Sequence, residues 1–143
     1  MKIQKFELEA LGNSLRLIST NLMKAPATSP QTKRLWYQGQ EAYFDITVDI
    51  QGEEIIWFQI TLRGKVVSGK PAHTLITGET EELDVPAEVS YYAASKTLRD
   101  GAAINWDFVQ CMAEMLAYRQ DEPILTRVHD LLTQSLNQHF QIA

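Results

Sequence analysis

A chain of 143 residues, 45% of them hydrophobic, is long enough for one domain that buries roughly 70% of its unfolded surface without a disulfide framework. The net charge of −5 is spread along the chain and offers no cationic footprint for a nucleic-acid backbone or an anionic membrane. The single cysteine, Cys111, excludes an internal disulfide, and no apolar run approaches the ~20 residues needed to cross a bilayer.

The first residues, Met1 to Glu7, are broken by charge and lack the apolar centre of a signal peptide, so a cytoplasmic protein is expected. Leu8, Leu11, Leu15, Ile18 and Leu22 recur at spacings of three and four, which predicts an amphipathic helix from Ile3 to Met23. Gly12 inside that helix costs about 1 kcal/mol relative to alanine, so the helix must be held by docking. A competing reading makes residues 2–8 a strand and starts the helix near Asn13 or Ser14. Ala25 to Gln31, with Pro26 and Pro30, reads as a connector, and Leu35-Trp36-Tyr37 as the opening of a short strand.

The segment from Ala42 to Arg63 has the period-2 signature of a hairpin. Phe44, Ile46, Val48 and Ile50 alternate with Tyr43, Asp45, Thr47 and Asp49, and the alternation resumes with Ile56, Phe58, Ile60 and Leu62. Matching the apolar sets predicts a three-residue turn, Gln51-Gly52-Glu53, with Val48 opposite Ile56, Ile46 opposite Phe58 and Phe44 opposite Ile60. The second face then pairs Asp49 with Ile55, Thr47 with Trp57, Asp45 with Gln59, Tyr43 with Thr61 and Glu41 with Arg63. Beyond the hairpin, Gly64 and Gly69 bracket a turn or a short strand over Lys65–Ser68, and His73 to Thr77 is another strand. Val89 to Ala94 reads as a strand as well, although Tyr92 to Lys96 also suits a helix.

The chain ends in two helices. Asn105 is the N-cap of the first, Asp107 suits its positive end, and Phe108, Cys111, Met112, Met115 and Leu116 share a face. Pro123 stops that helix and occupies the first turn of the next, which Ile124, Val128, Leu131, Leu132 and Leu136 line. The expected fold is a single α+β domain over residues 1–143. It is an antiparallel β-meander of four to five strands packed against an N-terminal helix and two C-terminal helices.

The segment from Gly64 to Pro71 has the glycine and lysine spacing of a phosphate-binding loop, but Pro71 stands where a Mg²⁺-binding hydroxyl is needed and no helix follows. His73, His129 and His139 lie at no metal-ligating spacing, and Glu79, Glu81, Glu82 and Asp84 lack the pattern of a calcium loop. Cys111 shares its face with Met112 and Met115, which fits packing rather than nucleophilic chemistry. No catalytic residue, cofactor or metal is assigned. Tyr43, Trp57, Gln59 and Arg63, on the face opposite the main apolar set, are the residues open to an interaction surface.

Two strings, Ile56 to Lys65 and Thr77 to Leu83, resemble a group of uncharacterised conserved proteins of cyanobacteria. The resemblance covers under a third of the chain and implies no activity or site residue. At the level of fold alone, the order of helix, antiparallel sheet and helices is similar to small acidic secretion chaperones. The leading functional expectation is a non-enzymatic protein–protein interaction or adaptor domain that forms a homodimer. The alternative is a small-molecule-binding domain or an enzyme with a pocket between sheet and helices.

Overall fold

The structure is a computed structural model, described here for residues 3–19, 32–70, 74–79 and 104–141. Its elements in chain order are α1 (Lys5–Ser14), β1 (Arg16–Ser19), β2 (Thr32–Gln38), β3 (Asp45–Gln51), β4 (Glu54–Leu62), β5 (Lys65–Lys70), β6 (Thr74–Glu79), α2 (Trp106–Leu116) and α3 (Pro123–Gln141). The strands form one curled antiparallel sheet whose spatial order is the chain order, β1-β2-β3-β4-β5-β6. The expected class holds, with six strands in place of four or five. The predicted strand or helix over 89–96 lies outside the described residues.

The extra strand comes from the predicted N-terminal helix, which ends at Ser14 instead of Met23. Leu15 turns to extended backbone (φ −66°, ψ 130°) and the chain enters edge strand β1. Two side chains fix this end, one from far along the chain and one from the helix itself. Arg119 Nη1 donates to the carbonyls of Gly12, at 3.1 Å, and of Leu15, groups that a longer helix would have used itself. Ser14 Oγ donates to the Leu11 carbonyl at 2.7 Å and accepts from the Gln40 N–H at 3.0 Å. The leucine spacing alone fits either continuation, because Leu8, Leu11 and Leu15 are buried in both.

The hairpin at the centre keeps the predicted faces but not the predicted register. Val48 pairs with Phe58 and Ile46 with Ile60, two residues further along than expected. The turn holds two residues, Gly52 and Glu53, between the pair Gln51 and Glu54, with glycine at φ 66° in the first position, as in II′ hairpins. A bulge absorbs the difference: Asp49 pairs with Trp57 and Ile50 with Ile55, leaving Ile56 as the extra residue. Ile55 thus joins the core at 6% exposure, a position the alternation gave to Ile56. Phe44, fully buried, precedes the strand in the 39–44 loop, where its ring lies against Gly39. The next turn, Arg63-Gly64, has both residues at positive φ (52° and 80°), the I′ geometry that matches the twist of a hairpin.

The helices cover one face of the sheet. Asn105 caps α2 by accepting from the Phe108 N–H at 3.1 Å, and its own N–H donates to Thr77 Oγ1 on β6 at 2.9 Å. Pro123 opens α3, where its missing N–H leaves no bond unmade. Leu35, Tyr37, Ile46, Val48, Phe58, Ile60, Leu62 and Val67 from the sheet form one core with Leu8, Leu11, Met112, Met115, Leu125, Val128 and Leu132 from the helices. Leu125 takes the deep position on α3, while Ile124 and Leu131 pack at its flanks. Tyr37 belongs to this core, and burial, followed by the neighbouring Glu122 carboxylate, pushes its phenol well above the usual range.

Candidate functional site

The second face of the sheet is polar, and it is also shielded from water. Register pairs define a row running directly across four strands: Trp36 on β2 faces Thr47 on β3, Thr47 faces Gln59 on β4, and Gln59 faces Ser68 on β5. With neighbouring strands about 4.8 Å apart, the row spans roughly 14 Å. The row beside it holds Gln38, Asp45, Thr61 and Val66. The row on its other side holds Arg34, Asp49 and Trp57. Gln59, Thr61 and Ser68 are only 8%, 6% and 6% exposed. Antiparallel sheets commonly leave one face in water with charged side chains free; here that face mixes neutral polar groups with two tryptophans and an ion pair, and much of it is sheltered.

Its charges are a neutralised pair, the exposed Arg16 and Lys70 at its margins, and a carboxyl with no cation beside it among the described residues. Arg34 donates twice to Asp49, Nε to Oδ1 at 2.6 Å and Nη2 to Oδ2 at 2.8 Å, with both side chains under a tenth exposed. The Arg34 guanidinium also stands 5.7 Å from the centre of the Trp57 ring, within range of a cation–π contact. Asp45 is different. Burial pushes its carboxyl up to about 6, while the Trp36 indole N–H, diagonal to it across β2 and β3, works in the opposite direction by favouring the anion. Yet no acceptor meets that N–H at proper hydrogen-bond distance and angle, and Trp36 Nε1 is sealed from solvent. Among the described residues it is the one sealed side-chain polar atom left without a partner. Such a group costs about 1–3 kcal/mol, and its presence in a native fold calls for an explanation.

The four residues singled out by sequence fall in two places. Trp57 and Gln59 lie on this polar face. Tyr43 and Arg63 lie at one end of the sheet, both in the left-handed region (φ 60° and 52°) and both outside the strands. Arg63 donates to Glu41 at 3.0 and 2.7 Å and to Glu7 on α1 at 3.3 Å, so it ties α1 and the 39–44 loop to the β4–β5 turn. The Arg63 guanidinium holds the Glu41 carboxyl below the usual carboxylate range. The predicted opposition of Glu41 and Arg63 is met by this ion pair rather than by a strand register. Trp36, Arg34 and Ser68, on β2 and β5, belong to the face as well. Alternation in β2 could have placed Trp36 there, but only the register puts it beside Asp45.

Other candidates carry less chemistry. The phosphate-loop spacing resolves into the Arg63-Gly64 turn followed by strand β5, with no helix N-terminus to meet an anion. His129 Nδ1 lies 3.1 Å from Asp130 on the surface of α3, and His139 stacks on Trp106 with ring centres 4.1 Å apart. Among the described residues no group of histidine, cysteine and carboxylate side chains converges as a metal site. Cys111 is partly buried, and burial followed by the Glu114 charge raises its thiol above the ordinary range. An open cleft of about 900 Å³ runs between the β3–β4 turn and α3, over Ile55 and Leu131. Its arginine, Arg127, is engaged in donating to the Glu53 carbonyl. Comparison with known protein families, with curated proteins and with solved structures returned no match. Among the described residues no helix is long and apolar enough to cross a membrane.

Proposed function

We propose that this chain is a small-molecule-binding domain whose ligand lies against the polar face of the sheet, across Trp36, Thr47, Gln59 and Ser68. The observation that carries this reading is the sealed indole N–H of Trp36, without a partner of proper geometry, beside the half-buried carboxyl of Asp45. Sheet faces that serve only as scaffolding are filled with apolar groups or left to water. A sheltered face with several hydrogen-bonding groups and a titratable carboxyl is the composition of a binding site. The sheet–helix layer is a poorer place for a ligand, because its side chains fill it: Phe44, Ile46, Val48, Ile60, Phe108 and Met112 are fully buried. A thermal-shift screen of small polar compounds of positive, neutral and negative charge tests the reading. Compounds that stabilise the wild type should lose that effect in Gln59→Leu and Thr47→Val, which keep the volume and remove the polar tips. A screen in which no compound of any charge raises the melting temperature would remove the proposal.

A second reading, self-association, is favoured by one observation. The two edge strands each expose an aliphatic side chain, Leu17 on β1 at 44% and Ile76 on β6 at 38%. Unpaired edges of this kind either need protection or serve for pairing, and a twofold homodimer is the commonest outcome. Such a dimer would also serve an adaptor role with a protein partner in the cytoplasm. Light scattering decides it: a mass near the 16.3 kDa of one chain removes this reading.

A further inference from the structure

Resting on the proposed ligand site, the geometry points to its chemical class: a small organic cation that also carries a hydrogen-bond acceptor, its positive group against the Asp45 carboxylate and its acceptor on the Trp36 indole N–H. The charge inventory of the face leads there. Arg34 and Asp49 satisfy each other through two short hydrogen bonds, and the four residues from Asp45 to Asp49 put that pair about 13 Å along β3 from Asp45. Gln38 and Thr61, which flank Asp45 in its own row, are neutral. The next cation along that row is Arg16 on β1, beyond Gln38 and exposed to solvent. Among the described residues Asp45 therefore has no cation beside it on this face. A half-buried carboxylate is stabilised by an opposite charge within a few ångströms, and no described side chain supplies one.

The second half of the argument is the indole. Trp36 Nε1 is a donor only, so what it lacks is a well-placed acceptor: Asp45, diagonal to it, is near enough for the N–H to favour its anion but not at proper hydrogen-bond geometry. A ligand that offers an acceptor to Trp36 and a cation to Asp45 completes both groups at once; an anion could accept from the indole but would be repelled by the Asp45 carboxylate. Thr47, Gln59 and Ser68 extend the row away from Trp36 and can meet further polar atoms of either kind. Phosphates, carboxylates and other anions are excluded at neutral pH, where the Asp45 carboxylate repels them. Binding of the cation favours the ionised carboxyl, so uptake releases a proton where Asp45 is still partly protonated.

The test is a titration of the whole chain labelled with ¹⁵N at its tryptophans, reading the indole resonance of Trp36, assigned with Trp36→Phe. Three probes of similar size separate the charges at pH 7: glycinamide (a cation with a carbonyl acceptor), acetamide (neutral) and acetate (an anion). Glycinamide should move the Trp36 indole resonance saturably, acetamide should bind about tenfold more weakly, equivalent to ~1.4 kcal/mol, and acetate should leave it in place. In Asp45→Asn glycinamide should fall to the level of acetamide. That variant removes a buried charge, so it should fold at least as well as the wild type, which circular dichroism verifies. If acetamide or acetate binds as tightly as glycinamide, or if Asp45→Asn keeps the preference, the cation assignment is wrong while the ligand site stands. If no probe saturates the Trp36 resonance, the assignment is overturned outright, and the compound screen separately decides the site.

Discussion

Gly12 on α1 lies against the backbone of Met115 on α2: a Cβ placed on Gly12 would stand 2.5 Å from the Met115 carbonyl oxygen. That contact is backbone, which cannot swing aside as a flexible side chain can. Gly12→Ala should therefore destabilise by about 1–3 kcal/mol, although alanine is the better helix former by about 1 kcal/mol. Denaturant melts check this. A more stable variant would mean that α1 is free to ride away from α2.

The Arg34–Asp49 pair should behave as a buried pair in which breaking is costly and replacing is not. Asp49→Ala leaves the guanidinium without its bidentate partner and should cost about 3–5 kcal/mol. The double change Arg34→Met with Asp49→Leu should recover most of that loss, because both desolvation penalties disappear together. Urea midpoints of the three proteins at one pH provide the comparison.

Asp45 should make stability fall as pH rises. Its carboxyl ordinarily titrates near 3.8 and in the fold near 6, chiefly through burial. Below the lower value both states hold the proton and burial costs nothing. Between the two values the unfolded chain ionises first, so folding becomes progressively less favourable, by on the order of 3 kcal/mol in all. Asp45→Asn removes this slope. The stability difference, variant minus wild type, should grow from pH 4 to pH 7 in urea melts, and a difference independent of pH would show that Asp45 is well solvated.

The central strands, both C-terminal helices, Asn105 as a cap and Pro123 as a helix start were all readable in the sequence, because each is announced within a few residues. What could not be read depends on a distant partner. Alternation in β3 and β4 is equally satisfied by a three-residue turn or by a two-residue turn with a bulge; the choice falls to the bulge because it brings both Ile50 and Ile55 into the core. The end of α1 at Ser14 is imposed by Arg119, more than a hundred residues away. Trp57 and Gln59 were placed on the correct face by period alone. Asp45 was visible too, but its meaning rests on Trp36 from another strand, which no local pattern connects to it.

The bulge itself can be removed. Deleting Ile56 leaves Ile55 opposite Ile50 and Trp57 opposite Asp49, so both flanking registers survive, and the shortened chain should fold with a modest loss. Deleting Gln59 instead forces either Phe58 or Ile60 onto the polar face and should abolish cooperative unfolding. Amide spectra of the two deletions distinguish these outcomes.

Cys111 should react slowly. Burial holds its thiol in the neutral form at pH 7, and the thiolate is the reactive species. Labelling by a thiol reagent should be far slower than in the unfolded chain and should accelerate as pH is raised. Rapid labelling of the native protein at neutral pH would reopen covalent chemistry at this residue.

Because the sheet is laid down in chain order, every strand finds its partner immediately before or after it in sequence. Two of the joints, Gly52-Glu53 and Arg63-Gly64, are turns of only two residues that already impose the twist of the strands they connect. Short loops close at little entropic cost, and local pairings form faster than remote ones. Assembly can thus begin at β3, β4 and β5 and spread outward to the edges. The β1 edge follows α1, whose end is held by Arg119 from the far end of the chain. The N-terminal unit should consequently be the first to open under mild denaturant, with its amides exchanging ahead of those of β3 and β4.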